Sequence, residues 1–215
     1  MPVITVGRMF GAGGETVGAI VADRLGAELV DAKFFEEIAH RLELPHEEAQ
    51  ELEESPDSFV GRLLSALGAA SMEFAAPPEA AAWTPPYSEQ PAADTRKAAL
   101  QITQQVIREA ARTGNAVIIG RGGRYVLEGA ASALHIFVRA SEDFRVQHLR
   151  QAYGWTDDQA RRRLKQTDAN RGAYVRQVYG HDWLHPAHYD LVVDTGRLGF
   201  ERAARIIADA ALSAS

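Results

Sequence analysis

The segment Val3–Gly18, VITVGRMFGAGGETVG, gathers residues suited to holding a phosphate. A β-branched run (Val3, Ile4, Thr5, Val6) leads into a glycine-rich turn (Gly7, Gly11, Gly13, Gly14), and an apolar-periodic helix opens near Glu15. Glycine lets the backbone reach positive φ and lets an oxygen approach closely. Main-chain N–H groups of such a turn point inward, and the head of the next helix adds its positive end, so an anion is bound without side chains. The expected cradle is Gly11, Ala12, Gly13, Gly14, Glu15 and Thr16. Thr16, in the first helical turn, offers a hydroxyl to Mg2+. In most loops of this shape a lysine supplies a point charge for the outer phosphates. Gly14 stands in that place here, and Glu15 puts a negative charge beside the site. A purely structural tight turn is the other reading of these glycines.

Without the lysine, cations must come from elsewhere. Arg8 lies inside the turn, Arg121 and Arg124 follow an apolar run, and Arg161, Arg162, Arg163 and Arg171 lie in a later basic stretch. Arginine grips phosphate oxygens through two parallel hydrogen bonds. Arg8 either replaces the missing ammonium or pairs with Glu15 or the acidic middle of the chain. Arg121 is favoured for function because it directly follows a buried strand, whereas Arg124 could equally brace the next helix. Three neighbouring arginines spread around about 200° of a helix, so one or two of Arg161–Arg163 can face the same anionic ligand, and Arg163 is assigned to it. His181, His185 and His188 fall within eight residues, but no carboxylate spacing supports a metal site there. His135 alternates within an apolar strand and reads as a core residue.

These groups need a frame. Strands are expected at Val3–Val6, at AELVD ending with Asp31, and at Ala116–Gly120, Ala133–Ala140 and Tyr189–Thr195. Helices are expected at Glu15–Leu25 (ended by Gly26), Phe34–Leu42, His46–Ser55, Ser58–Ala70, Lys97–Arg112, Glu142–Tyr153, Asp157–Thr167 and Phe200–Leu212. Glu73–Asp94 carries five prolines and cannot be one regular element, so it reads as a loop or an extended excursion. Five mostly apolar strands alternating with helices predict an α/β fold with a five-stranded parallel sheet covered on both faces. Ligands of such sheets bind beyond the carboxyl ends of the strands. Gly7–Gly14, Asp31, Gly120–Arg124, Arg139 and Asp194–Thr195 should therefore converge on one cleft.

The 215 residues, 46% of them hydrophobic, suit one domain with an insertion. The absence of cysteine excludes disulfides, thiolate metal sites and a cysteine nucleophile. A net charge of -6 argues against a nucleic-acid partner. Charge is uneven: Glu36–Asp57 holds nine acidic residues against one Arg, and Arg139–Arg176 holds nine of the 23 Lys and Arg. A basic segment in an acidic chain suggests a local anionic ligand or, more plainly, a solvated helix face. No apolar run approaches the roughly 18 residues of a membrane span, and a strand begins within two residues of Met1. The expectation is a soluble, cytoplasmic protein without membrane contact, with a homo-oligomer left open.

The ordered set of motifs resembles the cytidylate kinase-like branch of the P-loop nucleoside monophosphate kinases. ITVGRMFGAGGETVG is similar to that family's opening loop, AELVDAKFFEEIA to its second strand and helix, and AVIIGRGGRYVL to its third-strand Gly-Arg segment. HIFVRASEDFRVQHL followed by TDANRGAYVRQVYG resembles its next strand and arginine-bearing lid, and YDLVVDTGRLGFERAARII its closing strand and helix. The resemblance covers nearly the whole chain except Glu43–Thr95. It departs at the missing lysine, at Glu15 in place of a glycine, and in a turn one residue longer between Gly7 and Gly11. It implies a P-loop NTPase three-layer fold with core 1–42 and 95–215, an inserted acceptor-binding segment 43–94 and a helical lid at about 154–182. It also implies ATP with Mg2+ and phosphoryl transfer to a nucleoside monophosphate, CMP or dCMP first. By the same resemblance Arg171 is the lid arginine on the transferring phosphates. Asp31 lies near the acceptor or orders water around the metal, or else caps the following helix. Asp168 would orient Arg171 across one helical turn, and Asp194 would lie near the purine or simply cap. Two alternatives stand beside this: a nucleotide-binding regulator with little catalysis, and a kinase for a non-nucleotide small molecule.

Overall fold

A computed structural model of the chain describes residues 3–31 and 93–213. The expected helices Phe34–Leu42, His46–Ser55 and Ser58–Ala70 lie outside the described residues, as does all of Glu73–Asp94 but its last two residues. Residues 3–31 and 106–213 belong to one compact unit that contains the whole sheet, and residues 93–105 belong to a second.

Strands β1 (Val3–Arg8), β2 (Glu28–Val30), β3 (Ala116–Ile119), β4 (Ala133–Arg139) and β5 (Leu191–Asp194) form one sheet in the order β2-β3-β1-β4-β5. Every pairing is parallel, with Thr5 opposite Ile118 on one side and His135 on the other. Helix α1 (Gly14–Leu25) joins β1 to β2, and α2 (Ala93–Thr113) precedes β3. Then come α3 (Gly123–Val126), α4 (Glu142–Tyr153), α5 (Asp157–Tyr179), α6 (Thr195–Leu198) and α7 (Phe200–Ser213). The fold class expected from the sequence is the one observed.

The β-branched strands fill both faces of the sheet, as a covered parallel sheet requires. Ile4, Val6, Val117, Ile136, Val138 and Val193 pack with Val17 and Val21 of α1 and Ala204 and Ile207 of α7. On the other face Phe137 packs with Tyr125 of α3, Val175 of α5 and Trp183. No helix among the described residues is long and apolar enough to cross a membrane.

Local signals set most boundaries. Gly26, in the left-handed region at φ 57, stops α1. Ser141 caps α4 by accepting from the Phe144 N–H, and Thr156 and Gln159 form a capping box on α5. Several expected boundaries were short: α2 begins at Ala93 rather than Lys97, β1 runs to Arg8 rather than Val6, and α5 does not end at Thr167 but runs to Tyr179. Its buried stripe continues through Thr167, Arg171 and Val175, and packing outweighs the helix-weakening Asn170 and Gly172. Gly172 is needed where it stands, because a Cβ there would lie 2.9 Å from Nε1 of Trp183. Strand β5 is shorter than expected: a 3-10 turn, Pro186–His188, precedes it, and Thr195 already belongs to α6.

Candidate phosphate site

The turn between β1 and α1 is held in one shape from several sides. Gly11 and Gly13 both sit at φ 74, and Gly13 is the cap of α1, with no side-chain cap bond. The first-turn amides of α1 have no intrahelical acceptor and carry the helix's positive end. The Phe10 N–H donates to Asp168 Oδ1 at 2.8 Å, and Arg145 Nη1 donates to Asp168 Oδ2 at 2.6 Å and to the Phe10 carbonyl at 3.2 Å. Burial pushes the Asp168 carboxyl up from its ordinary value, and the bonds from Phe10 and Arg145 only partly oppose that. Thr195 Oγ1 donates to the Ala12 carbonyl at 2.7 Å. His148 Nδ1 lies 2.9 Å from the Gly11 carbonyl, which only accepts, so the proton sits on Nδ1. A Cβ on Gly13 would lie 2.7 Å from Cζ of Phe200 and closer still to its Cε1, so glycine is required there by contact as well as by φ.

Two arginines and a glutamate lie against this turn. Arg8 Nε donates to Glu15 Oε1 at 2.6 Å, with side chains only 10% and 20% exposed. Arg171 Nη1 donates to the Arg8 carbonyl at 2.8 Å, and its guanidinium carbon lies 5.9 Å from the Phe10 ring centre. Burial works to raise the Glu15 carboxyl, yet the charges of Arg8 and Arg171 hold it below its ordinary value. Burial, and then the charge of Arg8, pull Arg171 well below its own. Of the two sequence readings of Arg8, the pairing with Glu15 is present, but as a buried contact inside the site rather than a surface one.

Arg121 lies two residues past β3 and is buried, and its φ of 53 is a left-handed conformation unusual for a side-chain-bearing residue. Such backbone strain concentrates at functional positions. Asp31 lies one residue past β2, half-buried, and Arg163 is half-buried on α5. Thr16 is exposed in the first turn of α1. Arg124 braces: its Nε donates to the His188 carbonyl, and its Nη2 pairs with Glu128 at 3.5 Å. Arg161 pairs with Glu142 and Asp143 on the surface. Asp168, expected to orient Arg171, instead has its oxygens on Phe10 and Arg145. Asp194 caps α6 through the Arg197 N–H. His135 is a core residue, its Nδ1 2.8 Å from Thr5 Oγ1. The rings of His181, His185 and His188 lie against one another. No group of three His, Asp or Glu among the described residues is arranged to hold a metal ion.

Beside the turn lies a pocket of about 350 Å3 lined by Phe144, Gln147, His148, Gln151, Gly199 and Phe200. The Phe144 and Phe200 rings meet edge-on at 6.2 Å, and His148 lies 5.2 Å from Phe200. Sequence reasoning missed Phe144, Arg145, His148 and Phe200. The signal was helical spacing: Arg145 shares a face with buried Leu149, and Phe144 with His148, at i and i+4.

A glycine turn capping α1 on a β2-β3-β1-β4-β5 sheet is matched by a family profile. That of the cytidylate kinase-like family covers residues 3–197. The chain belongs to the cytidylate kinase-like family. Among curated relatives, the cytidylate kinase of Methanopyrus kandleri is 29% identical over 98 residues, 42% of this chain and 51% of that protein. The chain thus spans about half the length of the curated relative it matches. Among solved structures, an uncharacterised protein from Eubacterium ventriosum superposes with a TM-score of 0.67 at 16% identity, covering 99% of both chains. A shikimate kinase from Bacteroides thetaiotaomicron gives 0.52 at 16% identity, covering 97% of both. Likeness at this identity establishes the fold alone, a P-loop α/β fold. Within that fold, this member of the cytidylate kinase-like family carries Gly14 and Glu15 at the head of α1 and seats Arg8 against both.

Proposed function

We propose that the protein transfers the γ-phosphoryl group of ATP to a small-molecule acceptor, a nucleoside monophosphate with CMP or dCMP the first candidate. The observation that carries this reading is the meeting of the Gly11–Thr16 turn with the buried guanidinium groups of Arg8 and Arg171. Phosphoryl transfer requires positioning and charge neutralisation more than covalent chemistry. The amides of the turn and the head of α1 would take the phosphate tail. Arg8, Arg121 and Arg171 would offset the charge that develops on it. The aromatic pocket is of a size and character to take the nucleotide base, next to the turn through the Phe200 contact on Gly13 and the His148 bond to Gly11. Mg2+ prefers oxygen donors and keeps much of its coordination from phosphate and water. The exposed Thr16 hydroxyl fits that donor type and is the group that would hold it. When bound, the ion supplies charge neutralisation on the phosphate oxygens. Asp31 is assigned to the acceptor side and Arg163 to the nucleotide, and the family resemblance gives acceptor selection to residues 43–94.

Single-turnover reactions with γ-labelled ATP, Mg2+ and a panel of nucleoside monophosphates and non-nucleotide acceptors test the reading. Label transferred to CMP or dCMP is the expected result. Transfer only to another acceptor corrects the substrate. Nucleotide binding without transfer to any acceptor overturns the kinase reading in favour of a regulator.

A further inference from the structure

Positions 8 and 14 compete for one volume. An ideal Cβ on Gly14 would lie 2.5 Å from Arg8 Cβ and 2.7 Å from Arg8 Cγ. Those atoms are the root of the Arg8 side chain, fixed by β1, and they cannot swing away as a flexible tip could. At its far end Arg8 reaches the end of β3: a Cβ on Gly120 would lie 3.0 Å from Cζ and would overlap Nη1. Between these ends, Nε is held by Glu15 Oε1 at 2.6 Å. Arg8 therefore runs from β1 across the head of α1 to the loop after β3, over two glycines and against one carboxylate.

We propose that the cation of this phosphate loop is delivered from the strand side: Arg8 stands in for the loop lysine, Gly14 is glycine because the root of the Arg8 side chain fills its space, and Glu15 is the positioning residue that aims it. The steric part stands by itself, and the cation part rests on the phosphate-site reading above. Positions 8 and 14 accommodate one long cation between them, not two. Glu15, which by charge alone should repel phosphate, instead favours its binding by holding the Arg8 stem through Nε and directing the Nη atoms toward the end of β3. It would do so below its own ordinary protonation range and at every pH where the carboxylate is ionised.

Two measurements on the full chain test this and separate it from the kinase reading. The first is a stability cycle of Gly14→Ala, Arg8→Gly and the double variant, followed by thermal unfolding, since only glycine at position 8 removes the Cβ that lies 2.5 Å from the added methyl. Alanine in a helix is ordinarily better than glycine. Gly14→Ala is expected to lower Tm by at least about 4 °C in the parent chain. In the Arg8→Gly background it should leave Tm unchanged or higher, a coupling read on the usual scale of Tm shifts. Arg8→Met, which keeps the stem and removes the charge, should retain the penalty. Additive shifts overturn the interlock whether or not the protein is a kinase. The second is Mg-ATP affinity by calorimetry. Arg8→Met and Gly14→Lys should each weaken it at least about tenfold, the scale of one charge-assisted contact. Arg8→Gly/Gly14→Lys should recover to within about threefold of the parent by the same scale. Glu15→Ala should also weaken binding, with Glu15→Gln recovering most of the loss, since an amide oxygen still accepts from Nε. Tighter binding by Glu15→Ala, or Gly14→Lys binding as well as the double variant, overturns the positioning role. A parent chain that binds no nucleotide removes the phosphate-site reading, and with it the cation role, while the stability cycle still decides the interlock.

Discussion

Asp168→Ala should be among the single substitutions most costly to the phosphate turn, although Asp168 lies on α5, 158 residues from the Phe10 amide it holds. The substitution removes the acceptor of the Phe10 N–H and one acceptor of Arg145, leaving that guanidinium, 9% exposed, without its carboxylate. Breaking a buried pair costs about 3–5 kcal/mol. The 18% exposure of Asp168 admits some screening, which places the loss near the lower end, about 3 kcal/mol. For a chain of this size that is a fall in Tm of about 6–12 °C. The pair's net worth is smaller than the cost of breaking it, because burial already pushes the Asp168 carboxyl up despite its hydrogen bonds. Removing both charges should therefore cost less than removing one. Arg145→Met/Asp168→Leu is expected to recover more than half of the Asp168→Ala loss. Asp168→Asn, which keeps one acceptor but brings an amide donor toward Arg145, should fall between. Thermal and urea unfolding read all four chains. An Asp168→Ala protein within about 2 °C of the parent, or a double variant as unstable as the single one, would refute the clamp.

Other outcomes follow from the same geometry. Gly13→Ala meets both a φ of 74 and the Phe200 ring, and should cost about 1–3 kcal/mol by urea unfolding; adding Phe200→Leu should return part of it, and a neutral Gly13→Ala would contradict the packing. Phe200→Ala should weaken ATP binding while leaving inorganic triphosphate binding nearly unchanged, since the ring lines the pocket assigned to the base; equal losses for both ligands would remove that assignment. Burial, then the charge of Arg124, lower the His135 pKa against the pull of Asp190 and Glu128. With the folded value below the unfolded 6.5, the unfolded chain takes up the proton first, so stability is full above that value and declines as pH falls beneath it. Tm should drop between pH 7.5 and 5.5, and His135→Gln should flatten the drop, a comparison that an unchanged slope would decide against. His188 shifts the same way, but it lies near the surface and contributes less.

Much of the frame was legible in the chain because its causes are local. Five β-branched or apolar runs could form only covered strands, and Gly26, Gly154 and Gly180 each end a helix in the left-handed region. The turn at Gly11–Gly14 was legible for the same reason, since positive φ is a property of the residue itself. What was hidden depends on distant partners. Arg145 reads as one more charge in EDFRVQHL, yet it is buried beneath the loop because Asp168 and the Phe10 carbonyl meet it there. The extension of α5 beyond Thr167 was equally hidden, because its stabilising contacts come from Arg8, Phe10 and Trp183 rather than from its own residues.

The sequence alone therefore determined a parallel sheet with a glycine turn before its first helix, since backbone conformation follows from residue type and short-range pattern. It also showed that the turn lacks a lysine. Whether the neighbouring glutamate obstructs the turn or braces an arginine was decided only when the ends of β1 and β3, more than a hundred residues apart, were brought together. Burial and distance set the behaviour of charged groups, and both are properties of the packed chain.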